Sequence, residues 1–161
     1  MNGAHWHILL NHAPLFGVLT GTLLLAAGMV LQSASVRKTA LVVFFVSSIV
    51  TIPVYLTGEP AEHVVKNDPH LSVDKQLIHE HEESAEVWLW AVLGLGLLSA
   101  FTFFRENNQS RSSAILLNVT LIAAVVLIIG IAKVNNAGGK IRHTEFNSNA
   151  AGAAKGREDE D

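Results

Sequence analysis

Residues 114–134 read AILLNVTLIAAVVLIIGIAKV, an apolar run whose single charge, Lys133, stands next to its end. A helix needs about 20 predominantly apolar residues to cross the hydrocarbon of a bilayer, and this run meets that length. Working outward, residues 8–31, 39–57 and 87–104 repeat the pattern, separated by polar stretches. The sequence therefore predicts an all-α fold, a bundle of four transmembrane helices spanning residues 1–146, with both termini on the same side. Residues 147–161 are small and polar and end in Glu158, Asp159, Glu160 and Asp161, the make-up of a disordered acidic tail.

Composition agrees. The 161 residues are 50% hydrophobic and only 16% charged, more apolar length than one soluble core of that size uses. Cysteine is absent, which excludes disulfides, thiolate metal ligands, covalent haem attachment and a cysteine nucleophile. A net charge of -3 supplies no basic field for nucleic acid. Neither a phosphate-binding Gly-rich loop nor a Gly-x-Ser-x-Gly elbow occurs, so nucleotide and serine-hydrolase chemistry lack their usual parts. The first run carries histidines rather than Lys or Arg before it and has no small-residue cleavage pattern, so it is read as a retained span and not a signal peptide.

Basic residues in short loops set the expected orientation. Arg37 and Lys38 lie between the first two runs, and Arg105 and Arg111 lie between the last two against one acid, Glu106. The central loop instead holds Lys66 and Lys75 among Glu59, Glu62, Asp68, Asp74, Glu80, Glu82 and Glu83. The short basic loops are thus expected inside, and the termini and central loop outside. Within the spans, Gly17, Gly21, Gly28, Gly94 and Gly96 are expected to permit close helix approach. Pro53 should kink the second helix, and Gly58 and Pro60 should stop it and allow a restart.

All 8 histidines fall at the outer ends of these runs or in the central loop. His5, His7 and His12 open the first, His63 follows the second, His79 and His81 precede the third, and His143 follows the fourth. His5, His7 and Trp6 also suit the role of interface anchors. Glu59 and His63 stand one helical turn apart, and His79, Glu83 and Glu86 share a helix face, so carboxylates and imidazoles can converge on the bundle mouth. Asn135, Asn136, Gly138 and Gly139 are expected to end the fourth helix and fold Arg142, His143 and Glu145 back over that mouth as a lid.

The opening His7-x-x-x-x-His12-x-Pro14, the pair Thr57-Gly58, His81 before the third run, and Gly138-Gly139 followed by Ile141-Arg142-His143-Thr144-Glu145 resemble an uncharacterised family of bacterial four-helix membrane proteins. The resemblance covers roughly residues 6–146. It implies a bacterial inner-membrane protein with His7, His12, His81 and His143 as motif residues, and it supplies no reaction.

Imidazole and carboxylate donors without thiolate suit Zn, Cu(II), Fe or Mn. The first expectation is a metal site at the outer face with His12, Glu59, His63, His81, Glu82, Glu86 and His143 as candidate ligands, either redox-active or simply ion-binding. The second is a b-type cytochrome in which two histidines from different helices, His12 and His81, ligate haem iron, with His7 as a further candidate haem-binding residue and Arg142 pairing with a propionate. The third is a cofactor-free accessory or assembly subunit whose polar groups only tie helix ends together. The expected partners are the lipid bilayer and membrane or periplasmic proteins, not nucleic acid.

Overall fold

Residues 3–66, 75–106 and 111–142 are described by the computed structural model, and all form helices or the turns between them. The order is α1 (Gly3–Leu10), α2 (Ala13–Val30), α3 (Ala34–Leu56), α4 (Gly58–Lys66), α5 (Lys75–Arg105) and α6 (Arg111–Arg142). Four stretches are long and apolar enough to cross a membrane: Trp6–Val30, Ala34–Val64, Ile78–Arg105 and Arg111–Ala137. Helix α2 packs on α3, α3 on α5, α5 on α6 and α6 back on α2, closing a four-helix ring, while α1 lies chiefly on α4.

The ring encloses Val18, Leu25, Leu41, Phe44, Val92, Ala124 and Leu127, all buried. Its outer face is apolar as well: Leu23, Leu97, Phe104 and Ile122 are exposed. A water-soluble bundle turns polar residues outward; this inversion is what a hydrocarbon solvent asks for, since every helical main-chain group is satisfied within its own segment.

Glycines set the helix separations. A Cβ at Gly130 would lie 2.0 Å from the Trp88 ring, at Gly21 2.6 Å from Phe44, and at Gly28 2.8 Å from the Arg37 main chain. Gly17 and Gly96 give the same room to Ser47 and Ser48. Gly94 differs, because nothing lies within 4 Å of its would-be Cβ and it faces outward.

Several expected boundaries move. The first run is interrupted at Asn11 and His12, because Pro14, near the start of α2, has no N–H and its ring clashes with the carbonyl one turn earlier. Arg37 and Lys38 belong to α3 rather than a loop: Ser33 caps that helix by accepting from the Val36 N–H at 3.4 Å. Helix α3 passes through Pro53, ends at Leu56, and restarts after Thr57 as α4, so the stop and restart at Gly58 and Pro60 are present. The expected helix end at Asn135 to Gly139 is absent. Helix α6 runs on to Arg142, as the i to i−4 main-chain bonds outweigh the weak helix propensity of Asn and Gly. Up to Arg142 the segment expected as a lid is therefore a continuation of helix α6, and His143, Glu145 and the acidic tail lie outside the described residues.

Candidate functional site at the histidine end

The N-terminal ends of the first and third spans and the C-terminal ends of the second and fourth meet at one end of the bundle, as cross-helix contacts there show. His7 of α1 reaches the last turn of α3, His81 of α5 lies within electrostatic range of His7 and hydrogen-bonds the Val134 main chain of α6, and His12 touches Asn135 of α6. This layer is not at the helix tips. Helix α5 begins six residues before His81, and α6 continues seven residues beyond Asn135, so each rises about 10 Å past the layer at 1.5 Å per residue.

The proton on His7 can be placed. Its Nδ1 lies 3.3 Å from the Val54 carbonyl oxygen and 3.3 Å from Thr57 Oγ1. Thr57 Oγ1 donates its own hydrogen to that same carbonyl at 2.8 Å, so it can only accept from His7. Both neighbours are acceptors; Nδ1 therefore carries the hydrogen and Nε2 presents a lone pair. A ring fixed through one nitrogen by a main-chain carbonyl is the arrangement that orients metal-binding imidazoles.

His81 is half-buried beside His7, and its Nδ1 is buried with no hydrogen-bond partner among the described residues. Asn11, one helical turn after His7 and on the same side, likewise buries its Oδ1 without a partner. Buried polar atoms are nearly always paired, and an unpaired one costs about 1–3 kcal/mol. Two such atoms therefore lie at the end of the bundle that also holds an imidazole oriented through one nitrogen.

The remaining candidates are placed differently. His12 is exposed and its Nδ1 lies 3.4 Å from the Asn135 amide nitrogen. Glu59 and His63 are exposed on α4, and Glu82 and Glu86 are exposed on α5. His79 Nε2 and Glu83 Oε1 pair at 3.3 Å with both side chains 70% exposed, so this string turns its acids outward and only His81 inward. Rotation about α5 decides this. The buried line runs through His81, Ala85, Trp88, Val92, Leu95, Ser99, Thr102 and Glu106, and the acids at 82, 83 and 86 fall off it. Arg142 is the last residue of α6. Among the described residues no three His, Asp or Glu side chains group closely enough to hold an ion by themselves.

The opposite end holds a pair that the sequence reading treated only as loop charges. Arg37 Nε donates to Glu106 Oε1 at 2.6 Å, and its terminal nitrogen NH2 is 2.5 Å from the same oxygen. Glu106 is 3% exposed. A second terminal nitrogen of Arg37 donates to the Gly28 carbonyl at 3.4 Å, so one guanidinium joins α2, α3 and the end of α5. The signal was available: Glu106 continues the His81 to Thr102 spacing, which puts an acid on the buried line of a spanning helix.

Comparison with family profiles, with curated proteins and with solved structures finds no match to this chain.

Proposed function

We propose that the chain is a multi-pass inner-membrane protein that binds a transition-metal ion at the histidine end, with that end on the outer side. Two imidazoles lead the ligand set: His7 through Nε2 and His81 through Nδ1. The Asn11 amide oxygen is the third donor within the layer, and His143, which follows α6 directly, is the fourth candidate. Nitrogen and oxygen donors of this kind suit Zn, Cu(II) or Fe(II). A set of two or three protein ligands leaves a coordination position for water or substrate, the pattern of a reactive rather than a purely structural ion.

The observation that carries this reading is the pairing of a histidine whose tautomer is fixed by Val54 and Thr57 with a neighbouring histidine whose buried nitrogen has no partner. A structural polar network would have used both nitrogens. The outward assignment is supported by Arg37, Lys38, Arg105 and Arg111 at the other end.

The test is elemental analysis and absorbance of protein purified from its own membrane in mild detergent. Stoichiometric Zn, Cu or Fe without a Soret band is expected, with His7→Ala and His81→Ala each losing it and His63→Ala and His79→Ala keeping it. Protein that is metal-free and rebinds none overturns the reading, and a reducible Soret band replaces it with the haem alternative.

A further inference from the structure

The four spans are of two kinds at the histidine end. The third and fourth each pass through it as one unbroken helix, α5 and α6, and these pack on each other. The first is broken there at Asn11 and His12 and the second at Thr57, and the short pieces beyond the breaks, α1 and α4, pack on each other. Among the described residues α4 also meets the end of α3, but neither short helix packs along α5 or α6.

Both breaks have a proline placed just ahead of them. Pro14 has no N–H for the Leu10 carbonyl, and Pro60 has none for Leu56. The main-chain bonds that flank the first break are Asn11 N–H to the His7 carbonyl at 2.8 Å and Phe16 N–H to that of His12 at 3.1 Å, so the carbonyls from Ile8 to Asn11 receive no helical bond. At the second break the flanking bonds are Thr57 N–H to the Pro53 carbonyl at 3.0 Å and Ala61 N–H to that of Thr57 at 3.2 Å. A helix that lacks its i to i−4 bonds at one point bends there rather than along its length. The two joints are about one turn apart in depth, since His7, one turn before Asn11, sits against Val54 and Thr57.

We infer that α1 and α4 form a hinged cap on the histidine layer, turning as one unit about Asn11–His12 and Thr57, and that the bound metal ion locks it shut. This rests on the metal reading, because the lock needs one ligand on each side of the joint: His7 rides on α1, and His81 stands in the unbroken α5. The two contacts of His7 Nδ1, both 3.3 Å, are long for hydrogen bonds and hold the cap only weakly. An ion held by both imidazoles exists only in the closed state, so binding it shifts the equilibrium toward closure. At about 100 times its dissociation constant it lowers the open-to-closed ratio about 100-fold. Opening separates the two imidazoles, and is the step by which the ion enters and leaves.

The chain has no cysteine, so pairs of spin labels can be introduced without background. Leu9→Cys with Val87→Cys spans cap and ring, and Leu23→Cys with Leu97→Cys spans the ring alone; all four positions are exposed. Distances are measured by pulsed electron spin resonance on the full chain in nanodiscs, with metal removed and with Zn(II) added, a diamagnetic ion suited to these donors. Without metal the Leu9–Val87 distribution should be broad, and saturating Zn(II) should collapse it to one distance while Leu23–Leu97 stays narrow and unmoved. His81→Ala should keep the broad metal-free distribution and cancel the response to Zn(II). Pro14→Ala, which returns a donor to the Leu10 carbonyl, should narrow the metal-free distribution. A Leu9–Val87 distribution as narrow without metal as with it, in protein that elemental analysis shows to take up Zn, overturns the cap and leaves the metal reading standing. A ring pair that broadens together with the cap pair also overturns it, as a loosening of the whole bundle. Protein that takes up no Zn(II) overturns the lock and the metal reading together.

Discussion

The two ends of this bundle handle buried polarity in opposite ways. At the arginine end the charged groups and main-chain carbonyls of the described residues are answered: Glu106 by Arg37, the Gly28 carbonyl by Arg37 and by the Ser33 N–H at 3.0 Å, and the Arg105 carbonyl by Ser113 Oγ at 2.8 Å, with only the Ser99 hydroxyl, deeper in the bundle, buried without a partner. At the histidine end, one imidazole is held by a single nitrogen and two buried acceptors or donors, on His81 and Asn11, have no partner. A saturated network fixes helix positions and does nothing else; an unsaturated one keeps capacity for a ligand. The first is a clamp, and the second is the end we propose as a site.

The largest expected effect is at the clamp. Removing one partner of a buried ion pair leaves the other uncompensated, so Glu106→Ala should lower stability by about 3–5 kcal/mol. The double change Arg37→Met with Glu106→Leu should recover most of the loss, because packed apolar groups replace a pair without stranding a charge. Thermal unfolding in one detergent, comparing the wild type with the two variants, checks this; a double variant no better than the single one would give the pair a role beyond neutralising itself.

Glycine contacts come next. Gly130→Ala drives a Cβ into the rigid Trp88 ring and should cost about 1–3 kcal/mol. Gly94→Ala meets nothing and should be neutral or gain up to about 1 kcal/mol of helix propensity. The same unfolding assay reads both, and equal costs would mean that the α5–α6 approach is looser than these contacts imply.

At the histidine end the effects on stability should be small and those on ligand binding large. Thr57→Val removes the hydroxyl that helps hold His7 Nδ1 while keeping the Val54 carbonyl. Metal affinity should fall about ten-fold, the low end for loss of a group that orients a ligand, with stability changed by only about 1 kcal/mol. Titration with a competing chelator measures the affinity. The smallest effect returns to the arginine end, where Gln32 holds a left-handed φ of 51° in the turn that closes α2 by Ser33 N–H to Gly28 and Gln32 N–H to Met29. Gln32→Gly should raise stability by about 1 kcal/mol by removing the Cβ penalty.

What the sequence revealed follows from which properties are local. Apolar length is local, and so the spans near 8–31, 39–57, 87–104 and 114–134 each lie within a helix or helix pair able to cross a membrane. Which way a side chain points depends on rotation about the helix axis. The string His79 to Glu86 looked like a cluster of ligands, yet at 100° per residue only His81 turns inward. Pro14 carried the signal for the break at Asn11 and His12, and the Asn and Gly residues of 135–139 suggested an end that α6 does not have. The Arg37–Glu106 pair joins residues 69 apart and needs both rotations at once. Its partner choice could not be read before the helices were packed, although Glu106 could be seen to lie on the buried line.

The claim that the histidine end is a site is tested most directly by ligand-dependent stability. Thermal unfolding of the wild type and of His81→Ala should be measured with metal removed and again with Zn, Cu or Fe added in turn. Without metal His81→Ala should lose only about 1 kcal/mol, because the ring's bond to the Val134 main chain goes while Nδ1 has none to lose. With one of the metals at about 100 times its dissociation constant, the wild type should gain about 2.7 kcal/mol and His81→Ala almost nothing. If no metal stabilises the wild type, or if each metal stabilises His81→Ala as much as the wild type, the layer is a structural network and the account is wrong.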